Sequence, residues 1–302
     1  MIAYVFPGQG SQYVGMAKEF FERIPDAKLL MQHADDILST HLSKTMLEGP
    51  EDTLKQTNFT QPAIFLHSVL AYKYGGADGD YQAVAGHSLG EFSALFASDV
   101  FSFEDALRLV HLRGTLMAEA GKRQQGTMAA IIGLDAKVLS ELCKDIESTT
   151  GNIVRPANFN SPGQIVVSGS VDGVQEAMRQ AKEKGVRIAK ELPVSGAFHS
   201  PLMQYAADGL KEALDSTVIR EPRVPVFANV SAEPHENATS IKALLVEQLT
   251  APVRWEESIK NMYDFGVREF VEIGPGKVLQ GLISRTLNDV SCKGIEKPPE
   301  NQ

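Results

Sequence analysis

Apolar positions along this chain follow two rhythms, and the two alternate from the first residues. A continuous apolar run over residues 2–6 predicts a buried strand, closed by Pro7-Gly8-Gln9-Gly10. Helical spacing follows over residues 16–24. It returns over residues 62–74, where Pro62 suits a first turn because its missing N–H is not needed there. Residues 83–86 form a short strand of small residues, and a helix over 89–97 follows at once. Residues 103–120 predict a further helix with Ser102 as N-cap. Near the end, a strand over 268–273 turns at Gly274-Pro275-Gly276 into a helix over 278–286. This βα alternation predicts a mostly parallel sheet covered by helices.

The middle of the chain has a different order. Strands are expected over residues 127–132, 153–159, 164–168 and 187–192, with helices over 136–147 and 171–184. The order βαββαβ is ferredoxin-like. It interrupts the larger α/β region, so the expected organisation is a large subdomain of residues 1–125 and 196–302 carrying an insert of residues 126–195. The crevice between them is the natural place for a site. The tail from Cys292, with Pro298-Pro299 and mixed charge, reads as a frayed terminus.

Composition narrows the function. Of 302 residues, 43% are hydrophobic and 22% charged, which excludes a disordered or fibrous chain. Lys+Arg number 29 against 38 Asp+Glu, a formal charge of −9, which argues against non-specific nucleic-acid binding. Cys143 and Cys292 have neither metal-ligand spacing nor enough company for a disulfide framework, so a cytoplasmic location is expected. The start has no basic segment ahead of its apolar run, unlike a signal peptide. No apolar run approaches the ~18 residues of a membrane span.

Gly86-His87-Ser88-Leu89-Gly90 is the strongest local signal. It matches G-x-S-x-G between a predicted strand and a predicted helix, the context of an exposed nucleophile. The helix start aims unpaired N–H groups at Ser88, and the Leu89 amide can stabilise an oxyanion. Pro7-Gly8-Gln9-Gly10-Ser11 does not fit a phosphate loop, because Tyr13 replaces the last glycine and no G-K-[ST] is present. It can instead bring a Gln9 donor to the same oxyanion. A base is needed, and His111, His199 and His235 follow Ser88. His111 sits in a helix and His235 in a polar loop. His199 lies where the chain re-enters the large subdomain, at the crevice. Its acidic partner is not evident, and a backbone carbonyl can serve that role.

Arg113 lies on the apolar stripe Ala106, Leu109, Val110, Leu116, Met117 and Ala120. No carboxylate on its own helix is in reach. A buried guanidinium needs a partner, either a distant protein acid or the carboxylate of a ligand.

These residues together resemble the malonyl-CoA:acyl carrier protein transacylase family. The likeness covers nearly the whole chain, from Phe6-Pro7-Gly8-Gln9-Gly10-Ser11-Gln12 through the serine motif with Glu91, Arg113-Gly114 and Asn158-Phe159-Asn160-Ser161-Pro162-Gly163-Gln164. It continues through Gly196-Ala197-Phe198-His199-Ser200, Gln248-Leu249, Pro252-Val253-Arg254-Trp255 and Gly274-Pro275-Gly276. The resemblance implies a hydrolase-like α/β core with the inserted ferredoxin-like subdomain. It implies Ser88 as acylated nucleophile and His199 as base, with the amides of Gln9 and Leu89 as oxyanion hole. Arg113 is expected to hold the malonyl carboxylate, and the Gln248 carbonyl to orient His199. Met117, Asn160 and Phe198 are expected to line the pocket, with Phe198 and Leu89 in the malonyl-selective form.

The implied reaction moves malonyl from malonyl-CoA to the phosphopantetheine thiol of acyl carrier protein, in fatty-acid or polyketide synthesis, without metal or other cofactor. The expected enzyme stands alone, since its first strand starts at the second residue and its tail is short, and a monomer is the expected state. Carriers in such pathways are usually acidic, so a local basic patch is expected, with Arg179, Lys182, Lys184, Arg187 and Lys190 as candidates and Lys277 and Arg285 as the alternative. A lipase-type hydrolase shares the serine motif but does not require the arginine. A patatin-like Ser-Asp dyad would need Asp208. A docking module with a relic site would not need Ser88, Arg113 and His199 together.

Overall fold

The computed structural model describes residues 1–77, 80–235 and 237–300. The chain opens with β1 (Ile2–Phe6), then α1 (Lys18–Arg23), α2 (Pro25–Leu38), α3 (Leu42–Glu48), α4 (Glu51–Leu54) and α5 (Thr57–Tyr74). Next come β2 (Ala83–Gly86), α6 (Gly90–Ala97) and α7 (Phe103–Arg123). The middle holds β3 (Thr127–Ile132), α8 (Ala136–Thr150), β4 (Val154–Ser161), β5 (Gln164–Gly169), α9 (Val171–Glu183) and β6 (Ile188–Glu191). The last part is α10 (Gln204–Ser216), β7 (Val226–Phe227), α11 (Ala238–Glu247), α12 (Trp255–Asp264), β8 (Glu269–Ile273), α13 (Val278–Thr286) and β9 (Ser291–Ile295).

Two sheets result. The first is parallel throughout, in the order β7-β2-β1-β8-β9. Its inner strands β1 and β2 are apolar on both faces because both are covered. Tyr4, Phe6 and Val84 enter the core under α5–α7, while Ala3, Val5, Ala83 and Ala85 pack with Trp255, Ile259 and Leu282 of α12 and α13. The second sheet is antiparallel, β4-β5-β3-β6, backed by α8 and α9 around its own core of Ile131, Leu142, Val167 and Val174. Counted within the insert, that strand order is 2-3-1-4, the ferredoxin-like arrangement.

Strand β4 ties the two parts together. Register shifts at Pro156/Asn158 and Phe159/Ser161 bend it. Its bent half exchanges backbone bonds with Val253 of the large part, from Phe159 N (2.9 Å) and to Ala157 O (2.8 Å). The bend carries Asn158 and Asn160 into the crevice.

Two expectations need correction. Helix α5 begins at Thr57, not 62, so Pro62 lies inside it. Proline cannot donate to the Asn58 carbonyl four residues back, so that carbonyl lacks its usual helical donor. The tail is not frayed. β9 adds a fifth parallel strand, and beyond it Glu296 accepts from Tyr13 Oη (2.8 Å) and Gly276 N (3.1 Å), while its carbonyl meets His67 Nε2 (2.9 Å). Ser291-Cys292-Lys293-Gly294-Ile295 is an edge strand facing water, so it lacks the apolar run that marks its neighbours. Residues 301 and 302 of the tail lie outside the described residues. His235, in its polar loop, is buried.

Candidate active site

The chain leaves β2 at Gly86 and enters α6 at Gly90, with Ser88 at φ 51°, the left-handed region. A turn this tight needs both glycines. A Cβ on Gly86 would stand 1.9 Å from the Gly90 backbone, and one on Gly90 would stand 2.1 Å from the Phe6 carbonyl. The Asn229 side chain staples the limbs of the elbow. Its Oδ1 accepts from Ser88 N (2.7 Å) and its Nδ2 donates to Gly86 O (2.7 Å). His199 also has a positive φ, 57°. Left-handed non-glycine residues cost about 1–3 kcal/mol each and persist where the surroundings over-determine them.

These two residues face each other. Ser88 Oγ lies 2.8 Å from His199 Nε2, and His199 Nδ1 lies 2.7 Å from the Gln248 carbonyl. Gln248 is the C-cap of α11. A helix end leaves carbonyls without intrahelical partners and carries partial negative charge, so it can hold an imidazole and favour its cation. Burial, then the Arg113 charge, push His199 down to about 3. The imidazole is therefore neutral at ordinary pH and free to accept a proton.

Arg113 is 1% exposed, and no carboxylate bonds it among the described residues. Its Nη1 donates to Gln61 Oε1 (2.9 Å), and its Nη2 donates to Gln248 Oε1 (2.7 Å) and to Ser88 Oγ (3.1 Å). Burial lowers its pKa to about 10, leaving it charged at neutral pH. The guanidinium thus lies beside the serine with no ion pair blocking it.

The elbow opens into a cleft of about 280 Å³ between the two sheets. The Gln9 and Leu89 backbones border it, and neither N–H has an acceptor among the described residues. Met117, Asn160 and Phe198 line it, as do Leu279 and Leu282 of α13. His87 spans it, with Nε2 2.8 Å from Asn160 Oδ1. Gln248 is fully buried behind His199 and Arg113 rather than in the cleft wall.

The structure thus brings Ser88, His199, Arg113, Gln9, Leu89 and the Gln248 carbonyl together. It leaves the other histidines aside, since His111 stays on α7 with no bond to Ser88 and His235 bonds Glu91. Asp208 is exposed on α10 and bonded to Gln204, so no Ser-Asp dyad forms. Sequence reasoning did not reach Gln61, Asn229 or the Glu91–His235 pair. For Gln61 a signal existed, a lone amide opening the apolar run of α5. Among the described residues no group of three or more His, Cys, Asp or Glu side chains could hold a metal, and no helix is long and apolar enough to cross a membrane.

The sequence matches the acyl transferase domain family over residues 3–297. It is 46% identical over 300 residues to a malonyl CoA-acyl carrier protein transacylase of Bacillus subtilis (strain 168), covering 98% of this chain and 94% of that one. The fold superposes on the malonyl CoA-acyl carrier protein transacylase of Coxiella burnetii with a TM-score of 0.94 at 40% identity, covering 98% and 94% of the two chains. It also resembles a structure of a type II PKS acyl-carrier protein in complex with its malonyl-transacylase, with a TM-score of 0.93 at 40% identity, covering 98% and 96%. With the serine elbow, the histidine and the buried arginine on one cleft, and likeness along nearly its full length, the chain belongs to the malonyl-CoA:acyl carrier protein transacylase family.

Proposed function

We propose that this protein moves a malonyl group from malonyl-CoA to the phosphopantetheine thiol of an acyl carrier protein by way of a malonyl ester on Ser88. The observation that carries the reading is that Ser88 Oγ sits between His199 Nε2 at 2.8 Å and Arg113 Nη2 at 3.1 Å. A base and a carboxylate-binding fork thus converge on one hydroxyl.

In the proposed mechanism Ser88 Oγ attacks the thioester carbonyl as His199 Nε2 takes its proton. The carbonyl oxygen becomes an oxyanion held by the Gln9 and Leu89 amides, donors fixed before the reaction starts. The imidazolium is stabilised by the Gln248 carbonyl at the end of α11. His199 returns the proton to the coenzyme A sulfur as the C–S bond breaks. The carrier thiol then enters the cleft and the steps run in reverse, leaving Ser88 free. Throughout, Arg113 pairs with the malonyl carboxylate. Ester formation removes the serine O–H and turns the acyl chain into the cleft, where the Nη2 donor that faced Ser88 meets the carboxylate. The protein groups in this scheme, Ser88, His199, Arg113, Gln248 and the Gln9 and Leu89 amides, all belong to one chain.

The test is a two-substrate kinetic study with malonyl-CoA and a purified holo carrier protein. Parallel double-reciprocal lines and malonyl-carrier as product support the reading. Free malonate as main product in the presence of the carrier would identify a hydrolase instead.

A further inference from the structure

Glu91 is the second residue of α6 and is 1% exposed. Its position in the first turn suits a carboxylate electrostatically, yet its contacts go elsewhere. Oε1 accepts from His235 Nε2 (2.9 Å), while Oε2 accepts from Gln248 Nε2 (2.7 Å) and Asn229 N (3.1 Å). Each partner leads back to the site. Asn229 staples the elbow, and Gln248 carries both the carbonyl that holds His199 and the amide oxygen that holds Arg113.

The Gln248 amide has two possible orientations, and the carboxylate decides between them. With Nε2 on Glu91, Oε1 must face Arg113. A flipped amide would set oxygen against carboxylate at one end and N–H₂ against guanidinium at the other. His235 is constrained in the same way. Its Nδ1 is buried without a partner, so the ring's proton belongs on Nε2, facing Glu91. Glu91 is also the acid whose charge acts on Arg113. The two are not in direct contact, because the Gln248 amide stands between them. A direct ion pair would fill the fork. The relayed pair compensates the buried cation and leaves its Nη2 aimed at Ser88.

We propose that Glu91 is a positioning residue for acyl selection: it locks the Gln248 amide and thereby holds Arg113 oriented and open to a substrate carboxylate. This rests on the reading of Arg113 as the carboxylate clamp. The experiment compares Glu91→Gln with wild type on malonyl-CoA and acetyl-CoA, with rates normalised to serine titrated by an irreversible phosphonate probe. The substitution is isosteric but removes the charge, and it turns an N–H₂ toward a cluster made entirely of donors. Malonyl kcat/KM should fall about tenfold or more, mainly through KM, while acetyl changes by less than about threefold. Where Glu91→Gln gives no folded protein, Glu91→Asp keeps the charge but shortens the reach to Gln248, and should shift the same ratio less.

The second arm repeats the change in Gln248→Met, which keeps the backbone carbonyl on His199 but deletes the relay. There the Glu91 substitution should no longer alter the malonyl-to-acetyl ratio, since coupled residues are not additive. Equal losses for both thioesters, or an undiminished effect in Gln248→Met, would overturn the proposal. An Arg113→Ala variant separates the two readings. If it changes the ratio and Glu91→Gln does not, only the Glu91 inference fails. If Arg113→Ala leaves the ratio unchanged, the clamp itself is wrong.

Discussion

Replacing Arg113 with alanine removes the guanidinium beside Ser88 and should convert a malonyl-selective cleft into one indifferent to the acyl carboxylate. In the structure the guanidinium donates to Gln61, Gln248 and Ser88, three of its five N–H groups. A malonyl carboxylate on this fork gains one or two hydrogen bonds to a charged group, each worth about 1.5–3 kcal/mol. At about 1.4 kcal/mol per factor of ten, losing two amounts to roughly 10²–10⁴ in kcat/KM for malonyl-CoA. Acetyl-CoA has no carboxylate to lose and should change little, or gain as an unsatisfied cation disappears from its path. Folding is affected separately, because Gln61 Oε1 and Gln248 Oε1 lose their donor in a buried place, at about 1–3 kcal/mol each. The assay is therefore kcat/KM for both thioesters per titrated serine, with thermal unfolding alongside. Equal loss for the two thioesters at full folding would show that Arg113 only holds Gln61 and Gln248 in place, and would refute the clamp.

The basic surface makes a second prediction. Lys182, Lys184, Arg187 and Lys190 are exposed on the end of α9 and along β6, and the chain from β6 runs on to Leu192 and Val194 in the cleft wall. Arg179 drops out of this patch because Glu176 and Glu183 already pair with it. Reversing Lys182 and Arg187 to Glu should raise KM for the carrier and leave KM for malonyl-CoA alone; an unchanged carrier KM would move docking to Lys277 and Arg285 beside Val278. Acid stability gives a third. Burial holds His67 down to about 4, and burial with the Arg113 charge holds His199 down to about 3, from an ordinary 6.5. Between those values the unfolded chain binds protons that the native one refuses, so this stability is full above pH 6.5 and is lost as pH falls. Denaturant unfolding should show about 2 kcal/mol less stability per histidine near pH 5 than near pH 7; a flat profile would mean these rings are not held neutral.

How much the sequence disclosed followed from periodicity and from local chemistry. Strand β1, the β2–Ser88–α6 elbow and the βαββαβ insert were legible because apolar runs and glycine turns mark them directly. Ser102 caps α7 as expected, accepting from Asp105 N at 3.0 Å. Arg113 was legible as an anomaly on an apolar stripe, although its partners, two glutamines from α5 and the end of α11, were not. Asn229, Glu91 and His235 came together only in three dimensions, since they sit on α6 and on the loops after β7 with no shared spacing. Strand β9 escaped notice because an edge strand facing water shows no apolar run. Two-residue β7 was too short to show a pattern at all.

In the proposed reaction Ser88 carries the malonyl group between the two thiols. Incubation with malonyl-CoA alone, followed by intact-mass and peptide analysis, reads it directly. One malonyl adduct per chain is predicted, on the peptide containing Ser88, discharged on adding holo carrier protein and absent in Ser88→Ala, which should also transfer no malonyl. An adduct on another residue, or a Ser88→Ala protein that still loads the carrier at near wild-type rate, would contradict it.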